Sequence, residues 1–257
     1  MGFLMESKKE SAHPLLEYIA RTDADIVCLQ EYMISKTGKS LITQRDVDKI
    51  LSKYPYRSIT GLEYSGKYHT YGLACFSKYP ITNTHEFRFK DSYNGAALYT
   101  LDVNGDTYLV SNNHLESNKI SSSDKKLYSH FLIKRDYPTA VEVSFNIKKR
   151  MGRGYTKRAS QVQQISDYIQ KQEYDKLIVC GDFNDMPISY AYKIMKGNLT
   201  DAYASTGFGA GITYHEHLFL FRIDYILHSK NLKSHRTKVD KVKFSDHYPV
   251  LTYLTEQ

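Results

Sequence analysis

The chain contains no tryptophan, and it has only three cysteines and six prolines among its 257 residues. Each cysteine, at positions 28, 75 and 180, lies inside a short apolar run, which predicts buried thiols. An odd number of cysteines without paired spacing argues against a disulfide framework and against a zinc site.

Long hydrophobic runs are also missing. No segment approaches the roughly 20 apolar residues that a membrane-spanning helix needs. Residues 1–10 have too short an apolar part for a signal peptide. We therefore expect a soluble protein, cytoplasmic by default.

What the chain does contain is typical of a globular protein with one large core: 41% hydrophobic residues and 13% aromatic residues, mostly tyrosine. The formal net charge of +7 favours an anionic partner, although a modest excess of lysine also serves solubility. Residues 119–158 hold eleven basic and three acidic residues, which makes the rest of the chain nearly neutral. This basic stretch is either a solvated helical face or a rim that attracts phosphate.

The segment 176–186, K-L-I-V-C-G-D-F-N-D-M, is the centre of the predicted fold. Its apolar run is typical of a strand buried on both faces, and Asp182 and Asn184 follow where the chain leaves the sheet. These two side chains, one residue apart, can hold a cation and bind a phosphate or a water. The alternative is a plain turn, because Gly, Asp and Asn all favour turns.

Helices and strands are predicted along the rest of the chain from their apolar patterns. Asn104-Gly105 between two alternating segments predicts a β-hairpin, and the glycine-rich residues 201–211 predict a loop. One domain over residues 1–257 is the simplest organisation. We expect helices near 13–19, 40–53, 157–172 and 188–196, and strands near 25–30, 72–76, 83–89, 96–103, 107–111, 176–180, 222–228, 236–243 and 250–254.

Five segments share one feature, which is an apolar strand that presents acids, amides or histidines within it or at its end. Acids in such places are costly unless they are paired or bind a metal, so their convergence predicts a site. Oxygen ligands without cysteine suit a hard cation such as Mg²⁺ or Mn²⁺, and two histidines beside it suit hydrolysis of a phosphoester. The residues concerned are Glu31, His114, Asp182 with Asn184, Asp224, and Asp246 with His247.

The chain resembles the endonuclease/exonuclease/phosphatase superfamily in five motifs that follow one another in the same order: L-Q-E, N-H-L-E-S, G-D-F-N-D, R-I-D-Y-I-L and S-D-H-Y-P-V. Residues 72–81, G-L-A-C-F-S-K-Y-P-I, are also similar to that family's pattern. The resemblance covers about residues 14–254. It implies the deoxyribonuclease-I-like fold, an α/β four-layer αββα sandwich of two mixed β-sheets flanked by helices.

The same resemblance implies roles for the acids and the amide. Glu31 would ligate the metal ion, Mg²⁺ or Mn²⁺, with Asp246 near it. Asp182 and Asn184 would position the attacking water and the phosphate, and Asp182 is also a candidate metal ligand.

Roles for the two histidines follow from the resemblance as well. His247 would be the general base, or the group that accepts the proton of the water, held by Asp224. His114 would donate a hydrogen bond to a phosphoryl oxygen.

The chain differs from the family in one respect. Family members begin with a strand that ends in an Asn within a Tyr-Asn-Val-like motif, and nothing before Glu31 matches it. We therefore expect an N-terminally short domain whose neighbouring strand lacks a partner and whose metal site is weakened. Similar bacterial proteins often carry upstream membrane segments, so a longer native form would be anchored at the envelope, which is the one route to membrane association.

Two functions follow from these residues. The first is a metal-dependent phosphoesterase that hydrolyses a phosphodiester in a nucleic acid, a phospholipid head group or a small molecule. A lipid substrate would favour an exposed apolar loop at Phe219-Leu220-Phe221, whose alternative role is core packing. The second function is a catalytically inactive binding or scaffold protein on the same fold. Neither requires an obligate protein partner.

Overall fold

The structure is a computed structural model that describes residues 13–37, 42–62, 67–118, 137–216 and 220–257, with the backbone alone for 137–151. It contains five helices and eleven strands in these ranges. The helices are α1 Pro14–Thr22, α2 Gln44–Ile50, α3 Tyr137–Ile169, α4 Tyr190–Lys196 and α5 Ala202–Thr206. The strands are β1 Ile26–Ser35, β2 Tyr56–Gly61, β3 His69–Ser77, β4 Ile81–Arg88, β5 Gly95–Val103, β6 Asp106–His114, β7 Lys176–Asp182, β8 Thr200–Asp201, β9 Asp224–His228, β10 Leu232–Val239 and β11 Val250–Glu256.

The strands form three sheets. A six-stranded sheet has the order β4-β5-β6-β7-β9-β8, and it is mixed because β6 and β7 run parallel while its other pairs are antiparallel. A three-stranded sheet, β1-β3-β2, and a two-stranded sheet, β10-β11, are antiparallel throughout. The described pairing thus gives one mixed sheet, where the sequence analysis expected two.

Alternation along β3 shows how the layers stack. Leu73 and Cys75 pack with Tyr99 and Val110 of the six-stranded sheet, so one face of β3 meets that sheet. Phe76, from the opposite face, packs with residues of α1 and α2. On the far side of the six-stranded sheet, α3 and α4 cover the core of β6, β7 and β9. The three-stranded and the six-stranded sheet thus face each other, and helices cover their outer faces. This arrangement is a four-layer αββα sandwich, which confirms the predicted fold class.

Short-range signals in the sequence predict several elements correctly. Asn104 and Gly105 both have positive φ, 57° and 100°, and they join β5 to β6 as the predicted hairpin turn. Pro14 begins α1, as expected for proline in a first helical turn. The cysteines are free thiols, with Cys75 buried and the other two partly buried.

Several predicted segments differ from the structure. The expected loop at residues 201–211 contains α5, a helix of five residues that Asp201 caps through its side chain. The helix expected at 157–172, after a partly helical basic stretch, begins at Tyr137 and ends at Ile169. The strand expected at 236–243 is β10, which lies earlier, and β1 continues past Glu31 to Ser35.

In its sheet, β1 pairs with β3, and its last residue, Ser35, also forms a parallel bridge with Thr43 and donates to the Ile42 carbonyl. No helix among the described residues is long and apolar enough to cross a membrane.

Candidate active site

Three site residues stand in one row across the six-stranded sheet. His114, the last residue of β6, pairs with Asp182, the last residue of β7. Asp182 in turn pairs with Asp224, the first residue of β9. Because directly paired residues on neighbouring strands lie side by side, strand register alone gathers an imidazole and two carboxylates. The sequence predicts that Asp224 lies inside a strand, whereas in the structure Asp224 is the first residue of β9.

The end of β7 and the turn that follows it each contain a residue with positive φ. Gly181 has φ 123°, and a Cβ there would lie 2.0 Å from the Asn113 carbonyl oxygen. Asn184 adopts the left-handed conformation, with φ 51°. Its backbone N–H and its side-chain amide donate to the Asp182 carboxylate at 2.7 and 3.1 Å. The amide and the carboxylate are therefore hydrogen-bonded to each other, and the turn positions both.

His247 lies against the same row from the loop before β11. Its Nδ1 is 2.9 Å from Asp224 Oδ2, and its Nε2 is 4.0 Å from Asp182 Oδ2. Burial disfavours the charged ring, but the Asp224 carboxylate more than compensates and raises the pKa of His247 to about 9. The sequence-based pairing of His247 with Asp224 therefore has the geometry of an oriented imidazole.

His114 has a different environment. Its side chain is 4% exposed, and its Nε2 lies 3.8 Å from Glu31 Oε1 and 3.7 Å from Asp182 Oδ2. Burial lowers the pKa of His114 to about 4, although the Glu31 carboxylate opposes the shift. The ring is neutral at neutral pH and keeps one N–H to donate.

Glu31 reaches this row from the other sheet. It stands at an irregularity in β1, with φ 51°, and its side chain is 25% exposed. Its carboxylate therefore faces the six-stranded sheet across the gap between the layers.

The donor set fits a hard divalent cation. Asp182, Asp224 and His247 each offer a ligand atom within 4.8 Å of the others. Of the metal ligands that the sequence predicts, this group contains Asp182 but neither Glu31 nor Asp246. Burial, together with the neighbouring Asp224 charge, raises the pKa of Asp182 to about 7. A cation would relieve this repulsion, and carboxylate oxygens are the ligands that Mg²⁺ and Mn²⁺ prefer.

Asp246 is the one predicted site residue that these contacts do not bring into the cluster. Among the described residues, its Oδ1 accepts the Ser245 hydroxyl at 3.1 Å and its carbonyl accepts the His215 N–H. Its assignment beside the metal stays a prediction.

A buried ion pair that the sequence analysis missed supports the turn. Arg158 of α3 is 0% exposed and donates to Asp185 Oδ2 at 3.0 Å and to the Glu116 carbonyl at 2.8 Å. Asp185 directly follows Asn184, so α3 is tied to the loop that carries the site. The acid in G-D-F-N-D was visible in the sequence, but its partner 27 residues away was not.

Two sequence features are only partly described. Residues 119–136 of the basic stretch and Phe219 lie outside the described residues. Leu220 is 54% exposed, which does not support core packing at that position.

Comparison with known proteins points in one direction. The model of a family described as "Endonuclease/Exonuclease/phosphatase family" matches residues 4–247. No curated protein sequence matches significantly. Three solved structures illustrate the likeness in fold.

An endonuclease/exonuclease/phosphatase family protein from Leptotrichia buccalis is 19% identical, with a TM-score of 0.63 over 95% of this chain and 91% of that chain. The human Nocturnin catalytic domain with bound sulfate anion is 20% identical, with a TM-score of 0.63 over 95% and 85%. Sphingomyelinase C from Streptomyces griseocarneus is 18% identical, with a TM-score of 0.59 over 98% and 96%.

Proposed function

Because this chain belongs to the endonuclease/exonuclease/phosphatase family, we propose that it is a divalent-metal-dependent hydrolase of phosphodiesters. The observation that carries the proposal is the His247–Asp224 pair, 2.9 Å apart, directly beside the buried Asp182 carboxylate. An oriented imidazole next to a carboxylate cluster is the arrangement that activates a water for attack on a phosphate ester.

Each side chain has a role in the proposed reaction. The neutral form of His247 takes the proton of the attacking water, and Asp224 fixes the ring and stabilises the imidazolium that forms. Because Asp224 raises the pKa of His247 to about 9, this neutral form is the minor one at pH 7 in the metal-free chain. Asp182 and Asn184 orient the water and the phosphate. The neutral His114 donates a hydrogen bond to a phosphoryl oxygen, where charge develops.

Glu31 and Asp182 would hold the metal ion, with Asp246 near it. When bound, Mg²⁺ or Mn²⁺ would screen the negative charge of the phosphate and stabilise the charge on its oxygens. The carboxylates of Glu31 and Asp182 both lie within 4 Å of His114 Nε2, which supports a shared site.

The substrate class stays open among a nucleic acid, a phospholipid head group and a small phosphodiester. The similar structures include a protein named sphingomyelinase C and a catalytic domain with bound sulfate, which are compatible with a lipid head group and with an anion. The alternative function, an inactive binding or scaffold protein, would keep the fold without turnover.

The test is Mg²⁺-dependent hydrolysis of plasmid DNA, RNA, sphingomyelin and a generic phosphodiester. A phosphomonoester would run beside them for comparison. Asp182→Ala should lower turnover at least about 100-fold, because general acid–base and positioning groups contribute about 10²–10⁴-fold each. Asp167→Ala, which removes an exposed carboxylate on α3, is the matched control and should leave turnover unchanged. If the chain hydrolyses no substrate of the panel in the presence of metal, the proposed enzymatic function is rejected and the scaffold function is favoured.

A further inference from the structure

The strand β1 contains a β-bulge at the point where it meets the site. Leu29 pairs with Ala74 and Tyr32 pairs with Gly72, so two residues of β1, Gln30 and Glu31, oppose one residue of β3. A bulge of this kind leaves an extra residue and redirects the side chains around it.

The bulge decides which way Glu31 points. Before it, Leu29 packs with the core under α1 and α2, and after it Tyr32 packs with the same core. In a regular strand, alternation would place Glu31 with Leu29 on that helix-covered face. Because the bulge adds a residue, Glu31 instead approaches His114 of the other sheet, at 3.8 Å.

One side chain of the opposite sheet bonds both strands at the start of this bulge. Asn112 of β6 is 0% exposed, and its Oδ1 accepts from Gln30 Nε2 at 2.6 Å. Its Nδ2 donates to the Leu29 carbonyl and to the Ala74 carbonyl, both at 3.2 Å. Three hydrogen bonds from one buried carboxamide therefore bind β1 and β3 immediately before Glu31.

The spacing on β6 completes the connection. Asn112 and His114 are two residues apart on one strand, so they share the face that looks toward β1. The left-handed conformation of Glu31 is strained and persists only where the surroundings hold it. The hydrogen bonds of Asn112 to Gln30, Leu29 and Ala74 hold the backbone and side chains directly before Glu31.

We propose that Asn112 is a positioning residue that holds the bulge of β1, and thereby the Glu31 carboxylate, at the cation site. The inference rests on the proposed function in one respect, the role of Glu31 as a metal ligand. Residues that orient metal ligands affect affinity strongly, although they never touch the ion.

Binding of Mn²⁺ to the full, metal-free chain tests this without any substrate. Titration calorimetry or the electron paramagnetic resonance signal of free Mn²⁺ gives the Kd. Asn112→Ala should weaken binding about 10-fold or more, the usual effect of losing a group that orients a ligand. Asn113→Ala is the matched control, because Asn113 is also 0% exposed but bonds the Ser111 and Cys180 carbonyls within its own sheet. It should retain an affinity near that of the unaltered chain.

Repeating the Asn112→Ala measurement in a Glu31→Gln variant tests whether Asn112 acts on Mn²⁺ binding through Glu31. If Asn112 acts through Glu31, Asn112→Ala should cause little further loss once that carboxylate is gone. An equal loss from both asparagine variants, or an undiminished loss in the Glu31→Gln background, would overturn the proposal.

Gln30→Met covers the case in which Asn112→Ala does not fold. It removes the 2.6 Å hydrogen bond at a partly buried position and should weaken Mn²⁺ binding in the same direction. Unchanged binding in Gln30→Met would contradict the proposal. Absence of Mn²⁺ binding by the unaltered chain would reject the cation site itself, and with it this role.

Discussion

The two histidines of the site have opposite electrostatic environments. His247 bonds a carboxylate and is stabilised in its charged form, whereas buried His114 is kept neutral. Titratable groups whose surroundings push their pKa values apart are suited to different tasks in one reaction. Under the proposed function, these two environments suit His247 to hold a proton and His114 to donate a hydrogen bond in its neutral form.

Replacing Asp224 with Asn tests the source of the His247 charge. In the metal-free chain, the His247 ring should titrate near pH 9 by nuclear magnetic resonance. Burial lowers the pKa of this ring and Asp182 raises it less than Asp224 does, so in Asp224→Asn the pKa of His247 should fall well below 9. Asp167→Asn should leave the titration unchanged, and an unshifted His247 in Asp224→Asn would show that another group sets its pKa.

The sequence predicts the strand-end residues of the site but not the device that aims Glu31. Apolar strands followed by acids are a local pattern, and register then brings His114, Asp182 and Asp224 together. The bulge at Gln30 depends on Asn112, which is 82 residues away. The pattern S-N-N-H did contain a signal, because Asn112 shares the face of His114 at strand spacing.

At the scale of elements, the end of β7 requires glycine while α3 does not. Gly181→Ala should destabilise the chain by about 3 kcal/mol or more, since φ 123° and a backbone oxygen 2.0 Å from the new Cβ both oppose it. Gly152→Ala in α3 meets nothing within 4 Å and should stabilise by about 0.5–1 kcal/mol. Urea unfolding measures both, and a shared sign would contradict this account.

Elements with strong local signals were predictable, and those that depend on tertiary contacts were not. The Asn104-Gly105 turn specifies its hairpin because both residues accept positive φ. The five residues of α5 are too few for a helical period to show, and the Asp201 cap binds Arg222 as well as the helix. The sequence predicts that β1 ends before Glu31, because a polar residue that interrupts the apolar pattern at a bulge gives the same signal as the end of a strand.

At the scale of the molecule, charge is unevenly distributed along the chain. Residues 119–158 carry the whole positive excess, and their C-terminal part belongs to α3. Arg158 bonds the loop beside Asn184, so this helix runs past the site. Clefts lined by charges of one sign raise the local concentration of substrates of the opposite sign.

Salt dependence distinguishes a phosphate-attracting rim from a solvated helical face. We expect kcat/KM on single-stranded nucleic acid to fall steeply with added KCl, because each neutralised phosphate releases counterions. Hydrolysis of a small phosphodiester should change little, since it makes few such contacts.

Arg153→Gln, at an exposed position of α3, should reduce the slope of log kcat/KM against log salt by about 1. Lys233→Gln removes the same charge from an exposed position of β10. Lys233 pairs with Thr255, at the end of β10 that is far from His247, so this variant should leave the slope unchanged. Equal salt dependence for both substrates would make the basic stretch a solvated surface and direct the search toward small or lipid phosphodiesters.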